Sequence, residues 1–170
     1  AQAFAAVFSR DPHLAALGFI WPPIPAMTDV LFVILLRPWG DVLLAAPLMG
    51  ALYASIAVTL MYLVLRELGT GRGLATALAI VFLTYQHLYQ SAAAGLSEAP
   101  FAAFLLTSLL CYIRWLKAGR QDQVIFAGVF GGLASMCRYE ALFWVAAQGI
   151  GVVIIMTRFH HPTEIGRAHV

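Results

Sequence analysis

Residues 42–65 form a run without a single charged side chain. As a helix rising 1.5 Å per residue, such a run is about 36 Å long, enough to cross a hydrocarbon core of about 30 Å. The rest of the chain agrees with a lipid environment. Of its 170 residues, 62% are hydrophobic and 11% charged, against about 45–50% and about 25% in ordinary globular domains. The apolar residues also lie in long runs, not in the narrow stripes of helices that bury one face against a water-soluble core. The composition therefore predicts an all-α, polytopic transmembrane helical bundle of about five spans, with membrane lipids as its surroundings. A formal net charge of +2, dispersed along the chain, argues against a nucleic-acid partner. Cys111 and Cys137 both fall in apolar runs without ligand spacing and read as small buried hydrophobes.

Before the first span, residues 1–10 are compatible with helix and end near Asp11-Pro12. Pro22, Pro23 and Pro25 fix φ and remove amide donors, so residues 21–25 are expected to be a stiff, non-helical loop. Trp21 beside them suits the level of the lipid headgroups. Residues 26–36 are too short to span and predict an interfacial helix halted before Pro38. Further spans are expected at 74–88, ending in the polar-aromatic cluster from Tyr85 to Gln90, and from Ser97 to about residue 116. That last helix has a capping residue in Ser97, a dipole-complementing acid in Glu98, and Pro100 in its first turn. After a polar turn at 117–123, residues 124–137 are apolar but short. Arg138-Tyr139-Glu140 then interrupts, and 141–157 are apolar again. Gly128 and Gly132 predict a close helix contact.

The turns with Arg66 and Arg72, with Arg114, Lys117 and Arg120, and with Arg158 fall on one side of this arrangement. Asp11, Asp29, Asp41, Glu98 and Glu140 fall on the other. The positive-inside rule places the acidic side, with residues 1–41, outside. There the polar groups His13, Trp21, Tyr85, His87, Tyr89, Arg138 and Tyr139 join the acids, from connections distant in sequence, as an active site at a bundle mouth requires. Asp11-Pro12-His13 offers a base or a metal ligand, or simply a turn. The Arg138 guanidinium is shaped to hold a phosphate bidentately, or to snorkel to the interface. Residues two apart do not share a helix face, so Arg138 and Glu140 are expected to meet different partners. Glu98 serves its helix dipole or touches substrate. His160-His161 is ill-spaced for a tetrahedral metal, and no glycine-rich phosphate loop, zinc-protease helix motif or serine elbow is present.

The order of Trp21-Pro22-Pro23-Ile24-Pro25, two linked spans, Ser97-Glu98-Ala99-Pro100, and the run from Ala127 to Leu142 resembles the N-terminal membrane half of GT-C glycosyltransferases. It is most similar to bacterial relatives of the protein O-mannosyltransferases and of the aminoarabinose transferases of lipid A. The resemblance covers about residues 1–159. It implies a multi-pass enzyme of the plasma (inner) membrane with an extracytoplasmic active face. Such an enzyme transfers a sugar from a polyprenyl-phosphate donor to an acceptor, with or without a divalent metal as cofactor. The implied substrate-binding residues are Arg138, Glu140, Glu98, His13, Trp21 and Tyr139, and no metal ligand is assigned. The catalytic acid of such enzymes lies early in the first outer loop, which here falls at or before residue 1. Asp11, the only acid ahead of Trp21, is the remaining candidate.

Residue 1 is Ala, without a signal-peptide layout, and residues 164–170 match the translation of a common sequencing-adapter read. The expectation is a fragment, inactive by itself. In it, residues 1–163 form a partial membrane domain, with 1–41 an outer loop carrying interfacial helices, 42–157 the spans, and 164–170 foreign. Two other readings remain at this point. A transporter or flippase piece predicts ionisable groups near the bilayer midplane, whereas charges here sit at span ends. A non-catalytic membrane subunit gives the Pro-Pro loop and the Arg138-Tyr139-Glu140 interruption no clear purpose.

Overall fold

A computed structural model describes residues 2–8 and 23–158. Its regular structure is helical, with no strand among the described residues. The helices are α1 (Gln2–Phe8), α2 (Pro23–Leu36), α3 (Ala45–Glu67), α4 (Arg72–Thr84), α5 (Gln86–Ala93), α6 (Glu98–Ala118), α7 (Gln121–Ser135) and α8 (Ala141–Arg158). Short 3-10 turns at Arg37–Trp39 and Val42–Leu44 lead into α3. Three stretches are long and apolar enough to cross a membrane, Val42–Glu67, Glu98–Ala118 and Ala141–Arg158, and Arg72–Thr84 is a shorter apolar helix. A helical membrane bundle is thus the fold.

The bundle is built on α3 and α6, whose facing sides bury Ala57, Val64, Ala103, Leu106, Leu110 and Ile113. α7 packs on the other side of α6, and α8 follows on α7. Without a hydrophobic drive between helices in lipid, close backbone approach carries the packing, and small residues sit where the helices touch. A Cβ on Gly50 of α3 would overlap the Ala92 carbonyl of α5, and one on Gly95 would overlap Ala46. Gly95 also has φ of 65°, a conformation that glycine adopts without a steric penalty. Some hydroxyls on the spanning helices bond backward along their own helix. Ser55 donates to the Ala51 carbonyl at 2.8 Å and Thr107 to that of Ala103 at 2.8 Å, so both are satisfied within lipid.

Four expectations change. The Pro-Pro segment is not wholly extended: α2 begins at Pro23 and holds Pro25 in its first turn, where a missing amide costs no intrahelical bond. The expected span at 74–88 breaks at Tyr85, whose backbone is extended. Its polar-aromatic end becomes the separate helix α5, burying Leu88, Ser91 and Ala92. Ser97 occupies the cap position of α6 but makes no side-chain capping bond. Gly128 and Gly132 face open space; the contact glycine is Gly131, where an added Cβ would lie 2.9 Å from Val145 Cγ2.

Candidate active site

One end of the bundle gathers α2, the starts of α3 and α6, α5, and the turn between α7 and α8. The turn is tied down by backbone bonds. Arg138 N–H donates to the Ala134 carbonyl at 2.9 Å, Ala141 N–H to Arg138 at 3.2 Å, and Leu142 N–H to Tyr139 at 3.0 Å. The Ile24 amide of α2 donates to the Met136 carbonyl at 3.3 Å, so the Pro-Pro helix abuts this turn directly.

Because residues 138–140 turn and are not helical, Arg138 and Glu140 meet, contrary to the expectation from helix spacing. Arg138 Nη2 donates to Glu140 Oε1 at 2.8 Å and Nε to Oε2 at 3.3 Å, a side-on fork. Nη1 reaches across to Glu98 Oε1 on α6 at 2.6 Å. A guanidinium has five N–H donors, so one N–H on each terminal nitrogen remains. The two carboxylates differ in setting. Side-chain exposure is 34% for Glu98 and 61% for Glu140, and Glu98 Oε2 is buried without a hydrogen-bond partner among the described residues. The Arg138 bond holds the Glu140 carboxyl below its usual range. One cation between two carboxylates leaves the trio with a net negative charge.

Asp29 on α2 also belongs to this end. Its Oδ1 is buried without a hydrogen-bond partner among the described residues, and burial raises its carboxyl above the usual range. Sequence reasoning placed Asp29 on this face but gave it no role; only the packing of α2 against its neighbours distinguishes it. Also missed was a groove of about 260 Å³ between α3, α4 and α5, lined by Ala51, Ser55, Leu83, Leu88 and Tyr89. Its cause is the break at Tyr85, which runs of apolar residues do not reveal.

Of the six substrate-binding residues suggested by the sequence, Arg138, Glu98 and Glu140 come together, and Tyr139 stands exposed in the same turn. His13 and Trp21 lie outside the described residues, as does Asp11. The rings of Tyr85 and His87 lie tilted against each other at 46°, with centroids 5.7 Å apart. Among the described residues, no three His, Cys, Asp or Glu side chains are gathered as a metal site. The two ends of the bundle differ in charge. Arg66, Arg72, Arg114, Lys117, Arg120 and Arg158 share one end with Glu67 and Asp122, while Arg37 and Arg138 share the other with Asp29, Asp41, Glu98 and Glu140.

Among curated proteins and among solved structures, no match was found. The profile of a family described as dolichyl-phosphate-mannose-protein mannosyltransferase matches residues 22–164, a stretch that includes α2 to α8 and the whole Glu98–Arg138–Glu140 trio. The chain therefore belongs to the dolichyl-phosphate-mannose-protein mannosyltransferase family, membrane glycosyltransferases of the mannosyltransferase type.

Proposed function

We propose that the end of the bundle holding Arg138 receives a polyprenyl-phosphate-linked sugar at the outer face of the membrane, and that Arg138 holds the donor phosphate. The observation that carries this reading is the unequal grip of the two carboxylates on one guanidinium. Glu98, partly enclosed and 2.6 Å away, fixes the direction of the guanidinium. Glu140, the more exposed partner, covers the Nε/Nη2 fork. Exposed ion pairs contribute little, so a phosphate can displace Glu140 and take the same fork, for which its geometry is suited.

In the transfer, the acceptor hydroxyl oxygen bonds to the anomeric carbon as the bond from that carbon to the phosphate oxygen breaks. The hydroxyl proton passes to a carboxylate base, and the leaving polyprenyl phosphate takes the bonding pair. The charge gained by that phosphate is what Arg138 stabilises. Asp11, the acid ahead of Trp21, is the candidate for that base. The acidic charge balance of this end agrees with an outer location, and the groove beside α5 suits the hydrocarbon of the donor.

The test is binding of a polyprenyl monophosphate, measured against the corresponding polyprenol, to the protein in detergent. Arg138→Ala should abolish the preference for the phosphate, and Arg138→Lys should restore only part of it, because an ammonium lacks the fork. Glu140→Gln should bind the phosphate more tightly than the unaltered protein. An Arg138→Ala protein that still prefers the phosphate would remove the proposed role.

A further inference from the structure

The opposite end of the bundle carries a second site of different character. The last turns of α3 and α6 and the first of α7 enclose a cleft of about 390 Å³ lined by Arg114, Lys117, Arg120, Gln123 and Glu67. Arg114 Nε donates to Glu67 Oε1 at 2.9 Å. Lys117 bonds the Glu67 backbone carbonyl, with its Nζ 3.7 Å from Oε2. Arg120 lies against Asp122, with Nη2 2.6 Å from Oδ2. These contacts leave N–H donors on all three cations, which outnumber the two carboxylates paired with them, Glu67 and Asp122. The trio at the other end has the reverse balance, two carboxylates to one cation.

Across the first turn of α7 lies an apolar crevice of about 220 Å³ lined by Trp115, Gln121, Val124, Ile125 and Met156. The cleft and the crevice share the ends of α6 and α7. We infer that together they hold an anionic phospholipid of the surrounding leaflet, its phosphate among Arg114, Lys117 and Arg120 and one acyl chain beside Trp115 and Ile125. Charge complementarity selects the headgroup, and the adjoining apolar crevice selects a lipid over a free anion. A basic pocket between the ends of spanning helices is the setting in which anionic headgroups bind. This site stands apart from the Arg138 end and does not depend on the reading given to it.

The test is native mass spectrometry of the protein released from nanodiscs of phosphatidylcholine containing a minority of phosphatidylglycerol. The unaltered protein should retain phosphatidylglycerol in preference to phosphatidylcholine. Each surface cation near the lipid is worth about a five-fold change in retention, so Lys117→Gln with Arg120→Gln should lower the preference by about twenty-five-fold. Both side chains are more than half exposed, so their loss spares the packing. Glu67→Gln, which removes the carboxylate that lines the cleft beside Arg114 and Lys117, should shift retention in the opposite direction. Equal retention of the two lipids, or a double variant that keeps its preference, overturns the inference. So does thermal stabilisation by inorganic phosphate, in nanodiscs of phosphatidylcholine alone, as large as that from phosphatidylglycerol, which would assign the cleft to a free anion.

Discussion

The buried hydroxyl of Ser108 should matter more to this bundle than its size suggests. Ser108 is fully enclosed on α6. Its Oγ lies 2.8 Å from the Ala127 carbonyl of α7, 3.0 Å from Gln148 Oε1 of α8, and 3.3 Å from Trp144 Nε1, which donates to it. A serine has one proton to give and two lone pairs to receive, so it cannot donate to both oxygens. With the Gln148 amide turned, Nε2 donates to Ser108, Trp144 donates to Ser108, and the hydroxyl proton goes to Ala127. That arrangement also gives Gln148 Nε2 a partner, which it otherwise lacks. Each such bond between helices in a membrane contributes about 0.6 kcal/mol on average and up to about 1.7. Ser108→Ala should therefore cost about 2 kcal/mol, a change of about thirty-fold in the unfolding equilibrium. The assay is reversible unfolding in bicelles by a double-mutant cycle with Gln148→Leu. Because the two side chains share a bond, the double variant should be less destabilised than the sum of the singles, by about the value of one bond. A Ser108→Ala cost near zero, together with strict additivity, would refute the claim that this hydroxyl joins the three helices. The consequence reaches the site. Ser108 is ten residues along α6 from Glu98, about 15 Å, and Gln148 eight residues along α8 from Glu140, about 12 Å. The polar knot thus sets the register at which Glu98 meets Arg138, and loosening it should weaken polyprenyl-phosphate binding from a distance.

Other outcomes follow from the same packing. Gly131→Ala should destabilise the protein by forcing α7 from α8 at Val145, whereas Gly128→Ala, facing open space, should be neutral or slightly stabilising; thermal unfolding in detergent separates the two. In a protein with Cys111→Ala and Cys137→Ala, a cysteine at position 96 should react with an impermeant maleimide from outside the cell and one at position 118 only from inside. The reverse pattern would invert the topology. Arg138→Ala should also release Glu98 from its ion pair, leaving a partly enclosed carboxylate without a cation, and so lower stability more than Glu140→Gln does.

The three long spans could be read from the chain because length and absence of charge alone decide whether a segment crosses lipid. The start of α2 could not, since a proline is a breaker in mid-helix and harmless in the first turn, and only the position of that turn distinguishes the two. Likewise, the break at Tyr85 goes with the packing of Ala92 of α5 onto Gly50 and of Gly95 after it onto Ala46, contacts between segments far apart in sequence. At the site, the residue types were legible and their pairing was not. Helix periodicity separates Arg138 from Glu140, and the turn that unites them depends on α7 ending at Ser135. Glu98, forty residues away, joins them only because α6 and α7 lie side by side.

Acid titration should separate the two kinds of carboxylate at this end of the bundle. Glu140 is held below its ordinary value of 4.5, first by its bond to Arg138. Its contribution is complete above that ordinary value and is lost as pH falls through the depressed one. Asp29 has the opposite sign. Burial raises it above 3.8, so the folded state binds its proton more readily than the unfolded chain does. Stability from Asp29 is therefore greatest below the unfolded value and declines as pH rises through the raised one. Asp29→Asn should remove that decline and raise the apparent melting temperature at neutral pH, because a neutral amide replaces a carboxylate with an enclosed, unpartnered oxygen. Glu140→Gln should instead remove the loss on the acid side. A lower neutral-pH melting temperature for Asp29→Asn would refute this account of Asp29, because it would mean that the ionised carboxylate stabilises the fold.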